Sequence, residues 1–281
     1  MGQPVKGVGW HAALKLDYRR DGEHTLAHDQ HEGPLRVLQR LYPEGPGVCH
    51  HVVLHPPGGV VGGDELHLQA TLTEGSHALI TTPGATRFYR SEGQRALQSV
   101  RLHVHRGARL EWLPMETLAY SGCLAHSQVH MDLAPGAEMM GWDVLALGLP
   151  AAQQPFVQGR FSQQIELRGV WLEKGVIAAT DDTLLHSAVG LAGQGVLATL
   201  WFAAGQALGQ RETLLDVARQ VVGGDALARC AGVTSPQPSV VVLRVLAQRV
   251  EPTMALLVRV RAAWRQVAWQ LADHRPRIWS T

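Results

Sequence analysis

The sequence predicts a mainly β protein, built of layered antiparallel strands in an unusual single body with two helices in its C-terminal part. Three observations lead there: apolar residues alternate with polar ones in short stretches of the first two hundred residues, Gly and Pro punctuate those stretches, and helical spacing sets in only after about residue 205. The clearest alternation is Asp64 to Leu72, where Leu66, Leu68, Ala70 and Leu72 put one strand face into a core. Trp10 to Tyr18 repeats it through Ala12, Leu14 and Leu16, and Val100 to Val104 through Leu102. Breaks at Pro43 to Gly47, Pro56 to Gly59, Gly75, Pro83-Gly84, Gly107, Gly122 and Pro135-Gly136 fall where such strands need turns.

The C-terminal part follows in order. Leu214, Val217, Ala218 and Val221 fall at helical spacing, and Gly223-Gly224 supply a stop. Val240 to Ala247 is β-branched and reads as a strand. Pro252 suits a first helical turn, after which Leu257, Val260, Trp264, Val267 and Leu271 form a stripe, with Arg259, Arg261 and Arg265 elsewhere on the cylinder, and the helix ends before Pro276. No internal repeat has a fixed period. These features divide the chain into a mainly β body, 1–205, and a helix-strand-helix subregion, 206–281, packed on the same body as one domain.

Of the 281 residues, 25 are Lys or Arg and 24 Asp or Glu, so bulk charge favours neither nucleic acid nor an anionic membrane. A 46% hydrophobic content against 17% charged residues supports a substantial core. Cys49, Cys123 and Cys230 form neither a disulfide framework nor a CxxC pair, which suits a reducing compartment. Met1 to Tyr18 lacks the pattern of an export leader, and Lys6 stands where a myristoylation signal needs Ser or Thr. The longest apolar run, Val196 to Ala204, is far below the roughly 20 residues that span a bilayer. A cytoplasmic protein is expected, and 15 histidines keep metal handling open.

The chemistry-bearing motifs are few. Gly58-Gly59-Val60-Val61-Gly62-Gly63 lacks the lysine and hydroxyl of a phosphate loop and reads as a tight turn. No GxSxG elbow or HExxH helix occurs. Cys49-His50-His51 sets a thiol beside two imidazoles, ligands that nickel or zinc accepts, with Cys49 and His51 on one strand face. Such a site, with His103 and His105, would make a stand-alone metal-binding protein; the alternative is a core thiol beside hydrogen-bonded imidazoles. Asp64, Glu111, Glu116, Asp143 and Glu173 adjoin apolar or turn segments, where a carboxylate either meets solvent or lines a polar interior. A hydrolase using two of the first four would need a set separation, and no activated nucleophile can be named.

The run His55-Pro56-Pro57-Gly58-Gly59-Val60-Val61-Gly62-Gly63-Asp64 closely resembles the urease accessory protein D family, UreD or UreH. The likeness continues in order through Gly33-Pro34-Leu35, Tyr42-Pro43-Glu44-Gly45, Val48-Cys49-His50, Thr81-Thr82-Pro83-Gly84-Ala85, Phe88-Tyr89-Arg90-Ser91, Leu110-Glu111-Trp112-Leu113-Pro114, Trp142-Asp143 and Pro276-Arg277-Ile278-Trp279.

The resemblance implies a non-enzymatic maturation chaperone that binds urease apoprotein and UreF. Through UreF it would meet the GTPase UreG, which hydrolyses GTP. It implies a layered β fold and an acidic, water-filled internal passage for nickel in transit, with no permanently bound cofactor. Asp64 and Asp143 match family acidic residues of that passage, and Glu173 sits where the family has an acidic residue in a Leu-x-Glu-Arg context, lysine here replacing arginine. Glu111 and Glu116 are further candidates for the passage, Cys49 and His50 for a metal contact.

Overall fold

The computed structural model describes residues 9–280, so the Met1 to Lys6 stretch lies outside the described residues. In chain order the strands are β1 His11–Asp21, β2 His24–Glu32, β3 Arg36–Leu41, β4 Val48–Leu54, β5 Glu65–Leu72, β6 His77–Thr81, β7 Thr86–Phe88, β8 Ala96–Val104 and β9 Arg109–Leu113. They continue with β10 Thr117–Ala119, β11 Leu124–Leu133, β12 Glu138–Leu147, β13 Arg160–Leu167, β14 Trp171–Ala178, β15 Val196–Ala204, β16 Ala231–Gln237 and β17 Val240–Ala247. The helices are α1 Asp182–His186, α2 Arg211–Gly223 and α3 Val250–Trp264, and α3 runs on into a π turn, Arg265–Trp269.

The protein is mainly β and layered, as expected, but the antiparallel pairing is corrected. A seven-stranded sheet runs β14-β13-β11-β8-β5-β1-β2, and a ten-stranded sheet runs β16-β17-β15-β12-β9-β6-β4-β3 with β7 and β10 beside it. Its inner neighbours are parallel: β1 with β5, β5 with β8, β8 with β11 and β11 with β13 in one sheet, β4 with β6, β6 with β9 and β9 with β12 in the other. Antiparallel pairs are confined to hairpins and to the β12-β15-β17-β16 end. The chain crosses to the opposite sheet after most of these strands, so neighbours within a sheet arrive one coil apart and run the same way. Alternation reports which face is buried and is silent about a neighbour's direction.

The coils are uneven. Val48 lies opposite His77, His77 opposite Arg109 and Arg109 opposite Glu138, separations of 29, 32 and 29 residues, so no single period marks the sequence.

Two apolar layers result. The first, between the sheets, takes Leu14 and Leu16 of β1, Leu66 to Leu72 of β5 at alternate positions, and Leu145, Trp201 and Val242 from the facing sheet. The second lies between the ten-stranded sheet and α2 and α3, where Trp142, Leu200 and Leu243 meet Leu214, Leu257 and Trp264. β15, the apolar run Val196–Ala204, contributes to both layers and is buried along nearly its whole length, a central strand. One outcome differs from expectation: Arg261 of α3 and Arg265 at the start of the π turn, read above as lying off the apolar stripe, are both fully buried.

Candidate polar crossing between the sheets

Asp143 of β12, Thr199 of β15 and Arg244 of β17 stand directly opposite one another in consecutive strand pairs. Side chains opposite one another share a face. That face belongs to the apolar layer between the sheets, where Leu145, Trp201 and Val242 are its neighbours along the strands. The three residues therefore form a polar rung between apolar neighbours.

The opposite sheet meets this rung with Gln163 of β13 and Glu173 of β14. The Gln163 side-chain amide donates to Asp143 Oδ1. Thr199 Oγ1 donates to Glu173 Oε1 at 3.4 Å, and Arg244 Nε donates to both Glu173 oxygens at 3.1 Å. Burial pushes the Asp143 carboxyl up from 3.8 to about 7, the nearby Glu173 charge adds to the rise, and the Gln163 amide opposes it. One rung along, the indole Nε1 of Trp201 is buried without a hydrogen-bond partner, and its ring lies against Gly141, where a Cβ would come within 2.3 Å.

Asp143 and Glu173 are thus brought together; the other three carboxylates are not placed with them. Asp64 precedes β5, four strands from the β14 that carries Glu173, or about 19 Å at the usual strand spacing. Its Oδ1 accepts the Trp10 N–H at 2.8 Å and its Oδ2 the Val61 N–H at 2.9 Å, which ties the glycine-rich connection to the start of β1. That connection, read as a tight turn, carries the chain from β4 to β5, across from one sheet to the other. Its glycines make room: a Cβ on Gly59 would meet the Tyr89 ring at 2.0 Å and one on Gly62 the Ser91 Oγ at 2.3 Å, while Gly58 and Gly63 have φ of +77° and +95°. Glu116 lies half-buried in the link from β9 to β10.

Glu111 faces the helices instead. Arg261 Nε donates to its Oε2 at 2.6 Å, both side chains being fully buried, and Arg265 Nη1 and His77 Nε2 lie 3.6 Å from its Oε1. Burial alone would raise the Glu111 carboxyl, but the Arg261 charge and His77 outweigh it and hold the group far below the usual carboxylate range. Arg265 also pairs with Glu44, whose other oxygen accepts from His50 Nε2 at 2.8 Å. The Arg261 guanidinium lies over the Trp279 ring, 5.5 Å from its centroid.

Cys49 and His50 alternate on β4 and do not converge. Cys49 and His51 share the inter-sheet face, where burial pushes the thiol up to about 11 and the Tyr18 hydroxyl lies 2.7 Å from His51 Nδ1. His103 pairs with Asp132 at 3.2 Å. Among the described residues, no three of His, Cys, Asp and Glu are grouped so as to hold a metal ion. Sequence reasoning passed over Gln163, Thr199, Arg244, Arg261 and Arg265. For Arg244 a signal existed, since it is the only charge in the apolar strand Val240 to Ala247.

A profile of the UreD urease accessory protein family matches residues 11–280. A urease accessory protein UreD of Leptothrix cholodnii is 57% identical over 278 residues, covering 98% of this chain and all of that protein. Those of Polaromonas naphthalenivorans and Albidiferax ferrireducens are each 57% identical over 273 residues, covering 96% of this chain and 99% of each relative.

Proposed function

Because the chain belongs to the UreD family of urease accessory proteins, we propose that it is a non-catalytic chaperone that helps insert nickel into urease by conducting the ion between its two sheets. One observation carries the reading: the Asp143–Glu173 pair, with Gln163 and Thr199, crosses the layer between the sheets where its neighbours along the strands, Leu145, Trp201 and Val242, are apolar. Withdrawing the Asp143 carboxylate from bulk water beside the partly exposed Glu173 is costly unless a cation or water compensates, and the raised Asp143 carboxyl is the mark of that cost. Two oxygen donors suit a passing Ni²⁺ better than a closed His/Cys cage, because an ion in transit must leave as readily as it enters. On this reading nickel is cargo, the partners are urease apoprotein and UreF, with UreG joined through UreF and GTP hydrolysed there, and the work is done in the cytoplasm. No helix among the described residues is long and apolar enough to cross a membrane.

The test is complementation. Cells with a urease operon lacking only its own UreD receive this chain, or its Asp143→Ala or Glu173→Gln variant, and urease activity and nickel content are measured. The wild-type chain restores both, and the variants lower nickel loading while the accessory complex still assembles. Normal nickel loading by both variants would remove the pair from the path.

A further inference from the structure

The reading above leaves Arg244 without a task, although it is the group that most directly governs the pair. Its Nε sits 3.1 Å from each Glu173 oxygen, and its Nη2 also donates to Glu173 Oε2. That fork occupies the carboxylate as a cation would. Resting on the assignment of Asp143 and Glu173 to the nickel path, we propose that Arg244 is a built-in competitor for the ion: a tethered cation that Ni²⁺ must displace from Glu173, and that displaces Ni²⁺ in turn.

Three features fit this role better than that of a static brace. The Arg244 side chain is 44% exposed and that of Glu173 32%, so the guanidinium has solvent to swing into. Its Nη1 already lies 3.4 Å from Thr234 Oγ1 on the edge strand β16, which offers an anchor outside the pair. Asp143, directly opposite Thr199, has an amide donor from Gln163 and no cation of its own among the described residues, so the charge that neutralises the crossing sits on Arg244 or on an incoming ion. Without the guanidinium the carboxylate pair would hold a divalent ion longer than it does with Arg244 competing for Glu173. A tethered guanidinium restores the occupied state once the ion moves on, and because it cannot diffuse away its local concentration at Glu173 stays high.

Full-length chains carrying Arg244→Gln, Arg244→Lys, Glu173→Gln and Arg244→Gln with Glu173→Gln are titrated with NiCl2 in competition with a chromophoric chelator, and each is assayed for urease activation in trans. Arg244→Gln is expected to bind Ni²⁺ roughly 3- to 10-fold more tightly than wild type, the scale of a partly exposed forked ion pair. Glu173→Gln cancels that gain in the double variant, and Arg244→Lys, a point charge in place of a fork, falls between wild type and Arg244→Gln. Activation by Arg244→Gln falls although its nickel affinity rises, a combination that a lost structural brace does not produce. Unchanged nickel affinity in Arg244→Gln, with activation still impaired in Glu173→Gln, overturns the competitor and leaves the path standing. Normal activation by both Asp143→Ala and Glu173→Gln removes the path, and the competitor with it. If Arg244→Gln is not recovered folded, Arg244→Lys decides: tighter binding than wild type supports the competitor, and unchanged binding overturns it.

Discussion

Arg261 on α3 and Glu111 on β9, 150 residues apart in the chain, form an ion pair of 2.6 Å in which neither side chain touches solvent. The last helix is thereby joined to the middle of the ten-stranded sheet by charge as well as by the apolar contacts of Leu257, Val260 and Trp264.

Removing one partner leaves the other buried and uncompensated, so Glu111→Gln is expected to lose about 3 to 5 kcal/mol at pH 7 in urea denaturation. Glu111→Leu with Arg261→Met recovers much of that loss, because well-packed apolar replacements need no counter-charge. The pH dependence has a definite sign. Glu111 is held below its ordinary value of 4.5, so its stabilisation is present above that pH and is lost as the pH falls beneath it; Glu111→Gln flattens this acid limb.

His51 acts in a higher window. Burial lowers it from 6.5 to about 4, so the folded chain binds its proton less readily than the unfolded chain. Its stabilisation is complete above pH 6.5 and drains away as the pH falls toward 4, at up to about 1.4 kcal/mol per pH unit. His51→Gln, which keeps a side-chain partner for the Tyr18 hydroxyl, removes that share of the slope in thermal melts run between pH 7 and 4.

Asp64→Ala frees two backbone N–H groups at the connection between the sheets and is expected to cost about 2 to 4 kcal/mol. Comparing folded yield with activation per folded molecule separates its roles. Loss confined to yield makes Asp64 a lock on the turn, whereas loss per folded molecule returns it to the nickel path.

At Gly141 an added methyl would stand 2.3 Å from the Trp201 ring. Gly141→Ala should destabilise by roughly 1 to 3 kcal/mol, and near-ultraviolet circular dichroism should report the displaced indole.

The β character, several strands and both long helices were legible because local patterns encode burial: Leu66, Leu68, Ala70 and Leu72 all turn inward, and Val240 to Ala247 is a strand with the bounds read from its composition. Strand direction was not legible, since it depends on where the chain goes after each strand. Among the carboxylates, sequence could nominate Asp143 and Glu173 and could not say that β12 and β14 lie in facing sheets. It grouped Glu111 with them because neighbouring residues on a strand carry no label for the layer they enter; Leu110 and Trp112 point between the sheets, and Glu111 toward α3. The buried arginines were missed because a helix stripe drawn from apolar residues assigns every charge to solvent, and the carboxylates that Arg261 and Arg265 meet in the core, Glu111 of β9 and Glu44 of the β3–β4 connection, lie more than a hundred residues earlier.

The parallel coils also set an order in time. In the ten-stranded sheet each of β6, β9 and β12 pairs with a strand laid down about thirty residues before it, so a chain emerging from the ribosome can add coil to coil as it is made, in the manner of stacked repeats. Glu111 is synthesised early and its guanidinium late. Until α3 arrives the growing sheet carries a carboxylate on a face destined for burial, and the second apolar layer has no lid. Arrival of α3 is therefore the event that neutralises and covers this face, which makes that helix a checkpoint on the whole rather than an appendage to it.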